Sequence, residues 1–175
     1  MKGKDMHEHT ARRKRRVRAA IAAGIGLVPV VLVGAALATP GLNVVSAVVQ
    51  ARGTLPEDQI INSKSGVHLK TKGSADIVTQ RIVIGGGGHT GWHSHPGPVL
   101  VTVKAGALRL IYADDATCEG TVYEAGDSFI DRGDAVVHIA RNESLLNEVE
   151  LWATYLVPGE PNAAFRLDEP AASSC

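Results

Sequence analysis

Three of the seven histidines, His89, His93 and His95, fall within seven residues of one stretch, GGGGHTGWHSHPGP, running from Gly85 to Pro98. His93 and His95 are two apart, and in a strand residues i and i+2 point to the same face. Two neutral imidazoles on one face are a ready pair of metal ligands. The glycines ahead of them let the backbone turn sharply and approach a neighbour closely. A third candidate is His138, within the β-type run VVHIA, with Asn142 four positions on. His89 is open to three uses: a further ligand, a rim acid–base group, or an exposed side chain. No other catalytic set is present: there is no phosphate loop with its lysine, no GxSxG elbow and no Cys-x-x-Cys. The glycine run is no dinucleotide fingerprint, because it lacks the spacing and the following helix.

These residues need elements to carry them. From Val67 onward short β-rich runs alternate with turn formers: VHLKT (67–71), DIVTQRIVI (76–84), VLVTV (99–103), ALRLIY (107–112), TVYEAGDSFI (121–130), VVHIA (136–140) and VELWATYLV (149–157). Lys104-Ala105-Gly106 carries a hairpin signal, and Ala125-Gly126-Asp127 a turn. Seven or eight strands at this spacing, with no amphipathic helical stretch, predict an all-β sandwich or barrel. Trp92 directly precedes the His-x-His pair and is expected to face away from it. Arg109 and Tyr112 lie on barrel-type strands and can enter the interior; Tyr123, Phe129 and Trp152 read as core. His68 reads as structural or exposed, and His7 and His9 as solvated.

In this arrangement the chain resembles the cupin superfamily, from about Val67 to Pro158. The first cupin motif runs Gly, five residues, His-x-His, three or four residues, Glu, six residues, Gly. Here Gly87 leads to His93-Ser94-His95, then Val99 and Gly106. The second runs Gly, five residues, Pro-x-Gly, two residues, His, three residues, Asn. Here Gly126 leads to Arg132 in the proline position, Gly133, His138 and Asn142, with one extra residue. The resemblance implies a cupin-type jelly-roll barrel. It also implies a three-histidine set, His93, His95 and His138, that holds a divalent ion (Fe, Mn, Ni, Cu or Zn) with its other positions open to water or substrate. Asn142 would fix a turn, and two copies would pair through barrel edges. The glutamate position is Val99 (or Leu100), which cannot bind metal. Three neutral ligands leave the full +2 on the ion, favouring an anionic partner and weakening retention of the metal. Loss of the metal, with the barrel kept as a binding scaffold, is the alternative.

The rest of the chain says where such a barrel works. Residues 1–18 hold eight Lys/Arg against two acidic residues, leaving ten basic and sixteen acidic residues in the remainder. So acidic a folded part, without a basic cluster, argues against nucleic-acid binding. Residues 19–39 carry no charge and as a helix would be roughly 31 Å long, about a bilayer core. The basic flank places 1–18 in the cytoplasm and the rest outside. The segment is either a retained anchor or a signal peptide, since Ala36-Leu37-Ala38 has the form of a cleavage site. Outside the cytoplasm Cys118 and Cys175 can pair, closing a loop of about 58 residues worth about 4 kcal/mol on the chain-entropy model; two unrelated thiols are the alternative. The organisation expected is a basic tail (1–18), an anchor or signal helix (19–39), a linker and entry strand (40–66), the barrel (67–158) and an extended tail (159–175). The functions it admits are a dioxygenase-like or isomerase-like metalloenzyme acting on a small oxygen-rich ligand, a non-catalytic binding or sensory module, or a structural envelope domain.

Overall fold

The computed structural model describes residues 38–172 and residue 175, and every regular element among them is a strand. The basic tail and all but the last two residues of segment 19–39 lie outside the described residues. Among the described residues no helix is long and apolar enough to cross a membrane.

Ten strands form a nearly closed barrel whose two walls meet along one seam. One wall is ordered β1 (Leu42–Leu55), β4 (Ala75–His89), β11 (Val149–Pro158), β6 (Val99–Ala105) and β9 (Ser128–Asp131). The other is ordered β12 (Leu167–Asp168), β5 (His93–Ser94), β10 (His138–Arg141), β7 (Ala107–Tyr112) and β8 (Thr121–Glu124). The seam is the pairing of Arg141 with His89. A separate small hairpin joins β2 (Ile60–Asn62) to β3 (His68–Lys70).

Period-two alternation decides what fills the interior. In β6 Val99, Val101 and Val103 are buried while Leu100 and Thr102 face out. In β11 Val149, Leu151, Ala153, Tyr155 and Val157 are buried. With Val78, Ile84, Leu108 and Leu110 they form one core. Trp92 packs with Ile111 and Ile139 in a second, smaller cluster on the other side of its strand, as its position beside His93 predicts.

Three expectations change. Segment 40–66, read as linker and entry strand, contributes the fourteen-residue β1, paired along β4; its run VVSAVV lacks a polar alternation to announce it. The glycine run forms the end of β4 and makes the close backbone approach expected of it. A Cβ at Gly86 would lie 2.5 Å from the Leu145 carbonyl oxygen, and one at Gly88 would lie 2.7 Å from that of Leu42. Only bare backbone fits between these neighbours. Lys104-Ala105-Gly106 makes no hairpin: β6 pairs with β11 and β9, while β7 pairs with β10 and β8. Gly106, at φ +77°, turns the chain from one wall to the other. Finally, the tail is part of the barrel. Its β12 pairs with β5, Pro170 bridges Ala38, and Cys175 is bonded to Cys118 with Cα atoms 5.5 Å apart.

Candidate metal centre

His93 and His138 are direct cross-strand partners on β5 and β10. Residues opposite one another in an antiparallel pair share a face, so both rings enter the barrel. His95, two residues past His93, joins them from the same side. All three side chains are buried, and one ligand atom from each lies within 4.8 Å of the others. Ring centroids are 4.3 Å apart for His93–His138 and 4.8 Å for His93–His95. The sequence-derived set is therefore gathered in a metal-compatible arrangement.

The protonation pattern follows from the partners. The Nδ1 of His93 meets the Gly91 carbonyl at 2.9 Å, that of His95 the Phe165 carbonyl at 2.7 Å, and that of His138 the Val136 carbonyl at 3.1 Å. A carbonyl oxygen can only accept, so each Nδ1 must carry the proton. In a neutral imidazole the remaining nitrogen, Nε2, then holds a bare lone pair. Burial keeps all three neutral. It pushes His93 well below the ordinary histidine value, helped by His138, and lowers His138. It takes His95 down to about 4. Fixing the tautomer through the outer nitrogen is how proteins orient histidine ligands.

One further group meets the rings. Asp131, 2% exposed, places Oδ2 3.3 Å from Nε2 of His138 and 3.7 Å from Nε2 of His95. That oxygen is buried and has no hydrogen-bond partner among the described residues. Oδ1 is occupied, accepting from the Tyr112 hydroxyl at 3.2 Å and the Gly133 amide at 3.4 Å. Bare lone pairs facing an unpartnered carboxylate oxygen leave a gap that a cation fits, since a buried unpaired charge is otherwise costly. Neutral imidazole nitrogens are ordinary ligands of divalent metal ions.

The other candidates separate cleanly. Tyr112 reaches the site, whereas Arg109 points outward to Glu143 at 2.7 Å. His89 accepts from the Gly91 amide at 3.0 Å and shapes the turn before His93. His68 is exposed and bonded to Asn62 at 2.9 Å. Tyr123 and Phe129 stack at 4.2 Å, while Trp152 is 37% exposed and not core. Asn142 is buried, and its amide donates to the carbonyls of Ile84, Gly85 and Asn147. Sequence reasoning missed Asp131, Phe165 and Arg166. Arg166 donates to the Thr90 carbonyl at 2.8 Å and pairs with Asp168, beside the histidines.

Two spaces adjoin the rings. The inner one, about 40 Å³, is walled by His93, His95, His138 and Asp131 together with apolar residues including Val99, Leu110 and Leu151. The outer cleft, about 490 Å³, opens between β1 and the tail and reaches Gln80, His93, Tyr155, Arg166 and Asp168. Tyr155 donates to Gln80 at 2.8 Å, and burial raises its hydroxyl above the ordinary tyrosine range.

No family model matches the chain, and no curated protein matches it either. Solved structures do. An uncharacterised protein with a double-stranded β-helix domain from Klebsiella pneumoniae is 22% identical, with 54% of this chain and 71% of that one covered and a TM-score of 0.44. A cupin superfamily protein from Desulfitobacterium hafniense is 8% identical over 62% of this chain and 80% of that one, TM-score 0.41. A salicylate 1,2-dioxygenase from Pseudaminobacter salicylatoxidans is 19% identical over 45% of this chain and 20% of that one, TM-score 0.38. Strand order and the two-walled closure make the described residues an all-β, nearly closed jelly-roll-like barrel with His93, His95 and His138 gathered inside it.

Proposed function

We propose that this chain is an extracytoplasmic, membrane-anchored cupin-fold protein. It binds a divalent metal through His93, His95 and His138, and a small ligand whose oxygen atoms take the metal's remaining positions. The observation that carries the metal is the gathering of three buried imidazoles whose ligand atoms lie within 4.8 Å of one another, each ring fixed by a carbonyl on its Nδ1. A bound divalent ion supplies Lewis acidity to such a ligand. The chain supplies the rest. Apolar walls line the small inner space beside the histidines, and Arg166, Gln80 and Tyr155 offer polar contacts to a ligand in the larger cleft leading to it.

Export is supported by the uncharged segment 19–39 with its basic flank and by the Cys118–Cys175 bridge, a bond that persists in oxidising compartments. Pairing of two copies along β1, where Val45, Val48 and Val49 are exposed, is the oligomer this reading expects. Nucleic acid is not among the partners it names.

Two measurements test the proposal. Oxygen-donor ligands from a small-molecule panel should raise the melting temperature of the metal-loaded chain and leave the chelated chain unmoved. Equal shifts with and without metal would overturn the ligand mode. External protease added to intact cells should digest the barrel-bearing part; full protection would overturn the location. The apolar pocket beside the three histidines favours a second reading, turnover of that ligand by oxygenation or isomerisation, which product analysis of the same panel decides.

A further inference from the structure

The first cupin motif expects a carboxylate on β6, and Val99 stands there. Val99 is paired in register with Asp131 on β9. The two side chains therefore share the inner face, and they are 1% and 2% exposed. The carboxylate missing from one strand is present on its neighbour, at the same level of the barrel.

We propose that Asp131 is the fourth protein ligand of the metal centre, supplying from β9 the charge that β6 lacks. This rests on the metal reading above and extends it. Oδ1 is held by Tyr112 and Gly133, which leaves Oδ2 aimed at the histidines. Its separations from the Nε2 atoms of His138 and His95 are 3.3 and 3.7 Å. Two donors on one ion, each bonded at about 2.1 Å, lie roughly 3.0–3.4 Å apart at right-angle to tetrahedral geometry. The spacing to His138 falls within that range, and the spacing to His95, at 3.7 Å, comes into it with a small inward shift. Without an ion, two nitrogens bearing lone pairs would face a bare carboxylate oxygen. A carboxylate ligand also lowers the net charge of the centre from +2 to +1. That removes the weak retention expected of three neutral ligands and relaxes the demand for an anionic partner.

The test uses the full chain in detergent, oxidised and metal-free, titrated with Co(II) and followed by visible absorption, which responds to ligand number and type. D131N should bind Co(II) at least tenfold more weakly, with an altered spectrum. The transplant V99E/D131N should recover most of that affinity by returning the carboxylate to β6. Melting of the metal-free chains separates ligation from a structural role. Metal-free D131N should melt at or above wild type, because an unpartnered buried charge is gone, while its cobalt-induced gain in melting temperature shrinks. Should D131N fail to fold, D131E keeps the charge on a longer arm and should change the spectrum. Wild-type affinity and spectrum in D131N, or an unchanged spectrum in D131E, would overturn Asp131 as a ligand while leaving the three-histidine site standing. No Co(II) bound by wild type would overturn both.

Discussion

The ring of His95 donates its Nδ1 proton to the backbone carbonyl of Phe165, seventy residues away, at 2.7 Å. A ligand of the centre is thus oriented by the C-terminal tail. The same tail pairs β12 with β5 under His93, gives Glu169 to the Ser94 hydroxyl at 2.8 Å, and ends in the disulfide.

Ending the chain before Phe165 should therefore weaken metal binding ten- to a hundredfold, the scale on which partners of ligand histidines act. C118S/C175S should lose up to about 4 kcal/mol of stability with a smaller, severalfold loss of affinity, because β12 and the Glu169 contacts remain. Urea unfolding and Co(II) titration read the two quantities. Full affinity in the truncated chain would show that the tail does not orient His95.

The metal-free barrel should lose stability in mild acid. His95 is held near 4 when folded against about 6.5 unfolded, so below that unfolded value the unfolded state binds more protons. The stability is complete above about pH 6.5, declines as pH falls, and is fully lost below about 4, costing about 3 kcal/mol from His95 alone. His93 and His138 add loss of the same sign. Melting temperature against pH should fall across this window, and His95→Gln should flatten the profile. Parallel profiles for the two proteins would refute burial of a neutral His95.

How much of this was legible beforehand depended on whether the information lay in one stretch of chain. His93, His95 and His138 were legible because side-chain alternation and motif spacing are local properties. Asp131 was not, since its role exists only once β9 is laid against β6 and the site is seen to need a carboxylate opposite Val99. Phe165 acts through its carbonyl, which every residue possesses, so no side-chain pattern marks it. Gly106 misled because the residues that suit a hairpin turn also suit a corner between two walls. An entry strand was legible in 40–66, but not its fourteen-residue length, because the apolar run of β1 reads alike on both faces.

Asn142 fastens the loop after β10 to the end of β4, and its donors are what matter. N142D keeps the shape but replaces an amide that serves three carbonyls with a group that cannot donate when ionised. N142A removes the group altogether. Each should cost about 2–3 kcal/mol in urea unfolding, the scale of buried groups left unpaired. An N142D as stable as wild type would mean the turn holds itself.

The extra residue of the second motif sits where the backbone is most constrained. Asp134 and Ala135 have φ of +51° and +57°, in the short link from Asp131 to His138. Left-handed backbone is unfavourable for alanine and easy for glycine. Ala135→Gly should therefore stabilise by about 0.5–1 kcal/mol, net of the added freedom of the unfolded chain, with metal affinity unchanged. A loss of stability would place the strain elsewhere.

The centre itself is tested most directly by elemental analysis of the full chain after equilibration with divalent metal and removal of the excess. Near one equivalent in wild type, falling to background in both His93→Ala and His138→Ala while each variant keeps its β-rich circular dichroism, is the result expected from rings meeting across β5 and β10. Background metal in wild type, or one equivalent persisting in the folded variants, would contradict it.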